Sequence, residues 1–372
     1  MARALRGSNP TVADVARAAG VSKSTASRVL GGYGPVGAAA RGAVEKAASE
    51  LGYRPNGFAR GMNTGRSQTI GVVHEGIENP VFAVAMRGII DAAAERGVTV
   101  VMMNTGGTAV AERHAIDTLL SQHVDGLIVC PADSSDAGHL RELHQQGFPL
   151  VLWERRIPGL DVPVVEVDSR DVMEKFIEHA ISLGHRRIGF ISTARTGPRE
   201  YTPGTDVGSS LVSDRLATMV RRQRELLGED SAELVGFATS GTRDEVAKAT
   251  GELFETARPP SLLLASDNDI ALVAIPELER MQLRIPDDVS VATFDDAPWA
   301  LLTSPKTTVI AQPTYDMATT AARTLLALRD GGDIGLPLPK FSAAVHWRGS
   351  VRIRAWSAPS SLAQSASVEA PI

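Results

Sequence analysis

One cysteine in 372 residues excludes an internal disulfide framework. Its setting, the apolar run Leu127-Ile128-Val129-Cys130, marks it as a small core residue rather than a nucleophile. No apolar run approaches the ~18 residues that a membrane-spanning helix needs. The opening residues MARALRGSNP hold two arginines but no apolar h-region, so no secretory signal is visible and a cytoplasmic location is expected. Enzyme signatures are also missing. There is no G-x-S-x-G, no H-E-x-x-H and no Cys/His cluster, and the eight histidines are scattered. No catalytic residue, metal or cofactor is therefore assigned.

What the chain does have is an uneven charge distribution. The net charge is −5. Residues 1–66 hold ten Lys/Arg against three acids, a balance of +7, and the remainder holds 28 against 40, a balance of −12. A basic head on an acidic body suits nucleic-acid contact, because phosphates supply most non-specific affinity. Within that head, Thr11 to Leu30 (TVADVARAAGVSKSTASRVL) reads as two short helices around a turn at Gly20, with Ser22 as N-cap of the second. Lys23 and Ser24 open that second helix and Arg28 lies one turn on, where a recognition helix presents side chains to base edges. A G-x-G-x-x-G match at Gly32, Gly34 and Gly37 follows a helix rather than a strand, so it is not a dinucleotide fingerprint.

A third helix is expected over about 38–51. The segment 53–62 carries Pro55 and two glycines and is marginal as a helix alone. From Thr69 onward, short apolar strands alternate with amphipathic helices. The strands are expected near 69–74, 98–103, 125–130, 149–153, 163–167, 187–192, 233–237, 261–265, 289–294 and 344–352. This is the pattern of two doubly wound parallel α/β units with a ligand cleft at the strand C-termini. The Gly/Pro-rich stretch 194–210 reads as a mobile lip over that cleft. The Ser/Ala/Pro-rich tail reads as disordered. The expected organisation is a helix-turn-helix head at 9–54, a hinge and linker at 55–68, a bilobed core at 69–353 and a tail at 354–372.

The Thr11–Leu30 stretch, then ELGYRPNGFARGMNTGRSQTIGVV, ENPVF, LGHRRIGFI and IPDDVSVATFDD, together resemble the lac repressor (LacI/GalR) family of bacterial transcription regulators. The resemblance covers about residues 9–353. It implies an all-α helix-turn-helix head, a hinge helix and an α/β bilobed core like a periplasmic sugar-binding protein. It also implies a homodimer, with a tetramer possible, bound to near-palindromic double-stranded operator DNA and controlled by a small-molecule effector.

By position, the resemblance makes Lys23, Ser24 and Arg28 base-reading, and Arg or Lys can bond guanine O6/N7. Thr11, Ser22, Thr25, Ser27 and Arg41 become backbone-contacting or capping groups. Asn56, Ala59 and Met62 become the hinge that enters the minor groove, Met62 acting as an apolar wedge or as interhelix packing. Asn79, Val81, Phe82, Arg215, Asp267 and Asp295 become effector-binding. Trp153 and Trp299 either stack on a sugar face or pack. The family's helix-capping serine and its asparagine after the recognition helix are absent, with Gly37 and Gly31 in their regions. A sugar or sugar derivative is the expected effector, with a nucleoside or purine as the alternative. A transport-type sugar-binding protein is the other class considered, and the basic head argues against it.

Overall fold

The computed structural model describes residues 10–53, 66–194, 201–202, 204–228, 234–239, 241–332, 334 and 338–354. The expected hinge residues Asn56, Ala59 and Met62 and the tail from 355 onward lie outside the described residues. The chain divides into two compact units, one ending at Thr69 and including His123–Asp125, the other holding the rest.

The head is three helices, α1 (Val12–Ala18), α2 (Lys23–Gly31) and α3 (Ala38–Glu50). Thr11 and Asp14 form a reciprocal capping box at the start of α1. Ser22 Oγ accepts from the Thr25 N–H at 3.1 Å and starts α2; each such cap is worth about 1 kcal/mol. Gly20, at φ 65°, makes the turn between α1 and α2, a conformation that costs glycine little. Gly37 caps α3 without a side-chain hydrogen bond. Val15, Ala16, Ala26, Val29, Val44, Ala47 and Ala48 form the head's core, small side chains that let three short helices approach closely.

The first lobe of the other unit holds β1 (Thr69–His74), α4 (Pro80–Ala94), β2 (Thr99–Asn104), α5 (Ala109–Ser121), β3 (Leu127–Val129), α6 (Gly138–Gln145), β4 (Leu150–Trp153) and β5 (Val164–Val165). Its five-stranded sheet has the order β2-β1-β3-β4-β5, with Val72 beside Ile128 and Ile128 beside Val151 in parallel register. After β6 (Val167–Asp168) the chain enters the second lobe with α7 (Ser169–Ser182). That lobe continues with β7 (Ile188–Thr193), α8 (Ser210–Leu227), β8 (Val235–Ala238), α9 (Arg243–Phe254), β9 (Leu262–Ala265), α10 (Asn268–Arg280), β10 (Ser290–Phe294) and β11 (Thr308–Ala311). The chain then returns through α11 (Thr314–Arg329), which packs with α4 in the first core cluster. It ends with β12 (Phe341–Ser342), parallel to β6, and β13 (Ala344–His346).

The strand-by-strand outcome departs from expectation at the crossovers. The strand expected at 163–167 is two strands of two residues, β5 in the first sheet and β6 paired with β12. The strand expected at 344–352 is only Ala344–His346 and runs antiparallel to β11. The second sheet, β13-β11-β10-β9-β7-β8, is therefore parallel with one antiparallel edge. Nor is the expected lip a free flap where it is described. Tyr201 and Val207 are buried with Phe190 and Phe294 in the second-lobe core, and Ser209 Oγ accepts from the Val212 N–H to cap α8. Fully burying such side chains stabilises by about 1.5–3 kcal/mol each, which holds the segment down.

Candidate functional site

In the head, Lys23 and Ser24 are exposed on the first turn of α2, and Arg28 is half-buried one turn later. Arg28 Nε donates to the Ser24 carbonyl at 3.3 Å, so its guanidinium lies along the helix surface. Thr11, Ser22 and Arg41 are exposed, and Thr25 and Ser27 are half-buried. Ser22 Oγ lies 2.9 Å from Ser24 Oγ and 2.8 Å from Thr25 Oγ1, so three of the expected DNA-contacting hydroxyls form one local cluster at the helix start. Ser27 has a partner that sequence reading overlooked: its Oγ lies 2.9 Å from the Tyr33 hydroxyl. The ring of Tyr33 folds over Gly31, where an added Cβ would sit 2.3 Å from ring carbon Cε1. Glycine at this position thus lets the loop fold back onto the recognition helix.

In the core, a cavity of about 280 Å³ lies at the C-terminal ends of strands from both lobes. Asn79, Val81, Phe82, Trp153, Arg215, Asp267 and Asp295 all line it. Trp299 does not. It packs with Val291 and Leu278 in a separate core cluster of the second lobe, and its Nε1 donates to Asn268 Oδ1 at 3.1 Å. The indole is drawn there because buried Asn268 needs a donor, so of the two roles left open for Trp299, stacking on a ligand or packing, its surroundings favour packing. A larger recess of about 860 Å³ lies along β4–β6, Ile334 and residues 338–341, and it touches none of the expected site residues.

Each lining group is placed by the fold. Asn79 Oδ1 accepts from the Val81 N–H at 3.0 Å, starting α4, and from Asn268 Nδ2 of the second lobe at 3.4 Å. Phe82, one residue beyond Val81, stacks on His74 with centroids 3.9 Å apart. Asp267 caps α10 through the Ile270 N–H at 3.0 Å and accepts from Ser266 Oγ at 2.7 Å. Arg215, on α8, is 3% exposed. Its guanidinium lies 3.4 Å over the Phe294 ring and donates through Nη1 to the Ser266 carbonyl at 3.1 Å, while Nε and Nη2 have no hydrogen-bond partner among the described residues. Burial lowers its pKa to about 10, although the carboxylates Asp295 and Glu154 work in the other direction.

Two of the acids stand directly after parallel strands in left-handed backbone, Glu154 at φ 62° after β4 and Asp295 at φ 72° after β10. Such a conformation costs a non-glycine residue about 1–3 kcal/mol and tends to occur at ligand sites. Burial pushes Asp295 up to about 6, against a hydrogen bond from Gln312 Nε2 at 2.7 Å and the charge of Arg215. Burial, then the neighbouring Asp295, pushes Glu154 up to about 7. His74 is held near 4 by burial and so is neutral. His74, Cys130 and Glu154 each bring a donor atom to within 4.8 Å of the others. Burial keeps the thiol protonated, and His74 Nδ1 accepts from the Gly76 N–H at 3.2 Å. This chemistry suits a cavity wall better than a metal cage.

The lobes meet around this cavity. Besides Asn79–Asn268, the Ser134 N–H donates to the Gly208 carbonyl at 2.9 Å and the Ser210 N–H donates to Ser134 Oγ at 3.3 Å. Arg156 reaches Asp214 of α8 at 2.5 Å and Glu166 at 3.0 Å.

Both halves of this arrangement have counterparts among known proteins. Residues 11–56 match the model for bacterial regulatory proteins of the lacI family. Residues 70–187 match a periplasmic binding protein domain and residues 177–351 a periplasmic binding protein-like domain. The transcriptional regulator KdgR of Bacillus subtilis is 30% identical over 328 residues, covering 88% of this chain and 93% of its own. PtxS of Pseudomonas aeruginosa is 31% identical over 345 residues, covering 92% and 96%. The chain belongs to the lacI family.

Among solved structures, the complex of the transcriptional regulator CelR with cellobiose is similar, with a TM-score of 0.64 and 28% identity over 92% of this chain and 99% of that one. This lacI-family chain is a helix-turn-helix transcriptional regulator, and its relatives are regulators rather than enzymes. No helix among the described residues is long and apolar enough to cross a membrane. Sequence reading of this lacI-family core missed Glu154, Asp269, Gln312, His74 and the pair Glu75–Arg155, all of which line the cavity. Several of them stand at or just past a strand's C-terminal end, the one signal that marks them in the sequence.

Proposed function

We propose that this regulator is a homodimeric repressor that reads a near-palindromic operator with α2 and leaves it when a sugar-like effector occupies the cavity between the lobes. Lys23, Ser24 and Arg28 read base edges in the major groove, with Thr11, Ser22, Thr25, Ser27 and Arg41 anchoring to phosphates. Asn56, Ala59 and Met62 form the hinge that enters the minor groove. The domain plan is a head at 9–54, a hinge at 55–68 and a core at 69–353. Val84 and Ile90 on α4 and Val101 on the edge strand β2 are exposed apolar residues of the first lobe, a surface suited to a second copy.

The observation that carries the effector reading is Arg215. It is a buried cation that lines the cavity, and two of its three guanidinium nitrogens have no partner among the described residues, which suits a ligand rich in acceptor oxygens. CelR is solved with cellobiose, which supports a sugar. A ligand moves the equilibrium only through unequal affinity for the two states, and the contacts from Asn79, Ser134 and Arg156 across the lobes are where that inequality would be felt.

The test is twofold. Full-length protein is expected to shift a palindromic site from its own promoter region with steep salt dependence. A thermal-shift screen of sugars and nucleosides is expected to yield a ligand that abolishes that shift in wild type but not in Arg215→Met. No shift with any genomic fragment overturns the repressor reading. An unchanged ligand response in Arg215→Met removes Arg215 from the site.

A further inference from the structure

We propose that the effector is a compact polyhydroxylated amine, such as an amino sugar in its ammonium form, with oxygens on Arg215 and nitrogen among the carboxylates of Glu154, Asp295 and Asp269. The proposal rests on the cavity being the effector site and specifies the ligand class that site takes. The cavity is lined by five carboxylates, Glu75, Glu154, Asp267, Asp269 and Asp295, against two guanidiniums, Arg155 and Arg215, a formal charge of −3. Glu75 is held by both Arg155 Nη atoms at 2.9 and 2.5 Å. Asp267 is committed to Ile270 and Ser266.

Asp295 accepts from Gln312 Nε2 at 2.7 Å. Glu154 and Asp269 are the remaining acids, and neither has a side-chain hydrogen bond or ion pair among the described residues. The charges facing Glu154 are Asp295, Arg155, Arg215 and Glu75. Those facing Asp269, at the rim, are Asp267, Glu78, Asp295 and Glu75, all acids, and together with partial burial they raise it to about 6. An anionic ligand would add to this excess of negative charge and a neutral one would leave it standing. An ammonium offsets it and brings three donors.

A second observation concerns hydrogen bonding rather than charge. Gln312 donates from its Nε2 to Asp295, while its Oε1 is buried and accepts from no donor among the described residues, so an acceptor beside Asp295 awaits a donor. On the other side, Arg215 Nε and Nη2 await acceptors. The ligand must therefore carry both an oxygen-rich face and a donor-rich group. A volume of about 280 Å³ is at the small end for ligand pockets and favours a single ring.

The test is calorimetry on full-length protein with matched probe sets: glucosamine, glucose and gluconate, and the corresponding galactose and mannose series. One amine is expected to bind about ten-fold or more tighter than its neutral and acidic counterparts, releasing protons at pH 7 when two buffers of different ionisation heat are compared. Glu154→Gln and Asp269→Asn are each expected to narrow the amine-to-neutral affinity ratio, the amine losing more than the neutral sugar. Arg215→Met is expected to abolish binding of all forms. If a neutral or acidic form binds as tightly as its amine and Arg215→Met still abolishes binding, the amine proposal fails and the sugar-effector reading stands. If an amine is preferred but neither acid variant alters the preference, the assignment of its nitrogen to these carboxylates is overturned. If no probe binds in any form, proposal and reading fail together.

Discussion

Glu154 makes the stability of this protein depend on pH in a way that one isosteric substitution isolates. Its carboxyl is raised from 4.5 to about 7, first by burial and then by Asp295. A carboxyl raised on folding binds its proton more tightly in the native state. Its contribution is therefore favourable below about 4.5 and is lost as pH climbs through about 7. A displacement of that size corresponds to at most about 3 kcal/mol. Because the side chain borders a water-accessible cavity, about 1–3 kcal/mol is the expected range.

Glu154→Gln removes the ionisation and keeps the shape. The variant and the wild type should unfold alike near pH 4, diverge between about 4.5 and 7, and hold a constant gap above it, with the variant the more stable. His74 and His185, each lowered to about 4 mainly by burial, act in the opposite direction between about 4 and 6.5. They are present in both proteins and cancel in the difference. Thermal midpoints measured every half unit from pH 4 to 8.5 supply the assay. Curves that stay parallel throughout would refute the account of Glu154 as a buried, like-charged neighbour of Asp295.

Arg28→Ala is expected to lose specific operator binding by about 1–3 kcal/mol in fluorescence anisotropy with the core's unfolding midpoint unchanged; normal operator affinity would show that the register of α2 on DNA is wrong. Gly31→Ala should force the Tyr33 ring off the recognition helix, since the added Cβ would lie 2.3 Å from it. In a Tyr33→Ala background the same change should be harmless or mildly stabilising, by up to about 1 kcal/mol from helix propensity, and a double-mutant cycle on operator affinity reads the difference. Asp214→Asn removes one arm of the Arg156 contact across the lobes. With both side chains partly exposed, effector affinity should fall only about two- to five-fold by calorimetry.

Much of this was legible in the sequence because local chemistry and global fold agree. Ser22, Thr11 and Asn79 are capping residue types directly before helical patterns, and each caps a helix. The inner strands of both sheets are buried on both faces, so β4 and β9 are continuous apolar runs. What escaped has physical reasons too. Two-residue strands such as β5, β6 and β12 are too short to carry a period. Asp267 lines the cavity as read, and what escaped is its second duty of capping α10. Trp299 was read as lying near the cleft from its position after β10, but tertiary packing turned it toward Asn268. Glu154 and Asp269 lie over a hundred residues apart, and only the folded chain brings them to one cavity.

The contact that displaced Trp299 from the cavity has a use of its own. Its indole N–H is held by Asn268 Oδ1, and the amide nitrogen of the same Asn268 reaches Asn79 across the cleft. Asn79 keeps its bond to the Val81 N–H whether or not that reach is made, so at this point of the cleft the amide contact can break without unwinding a helix end. A change at that contact is carried through Asn268 to an indole that does not line the cavity. Trp299 fluorescence is therefore expected to report on the Asn79–Asn268 contact without direct contact between the indole and a molecule in the cavity.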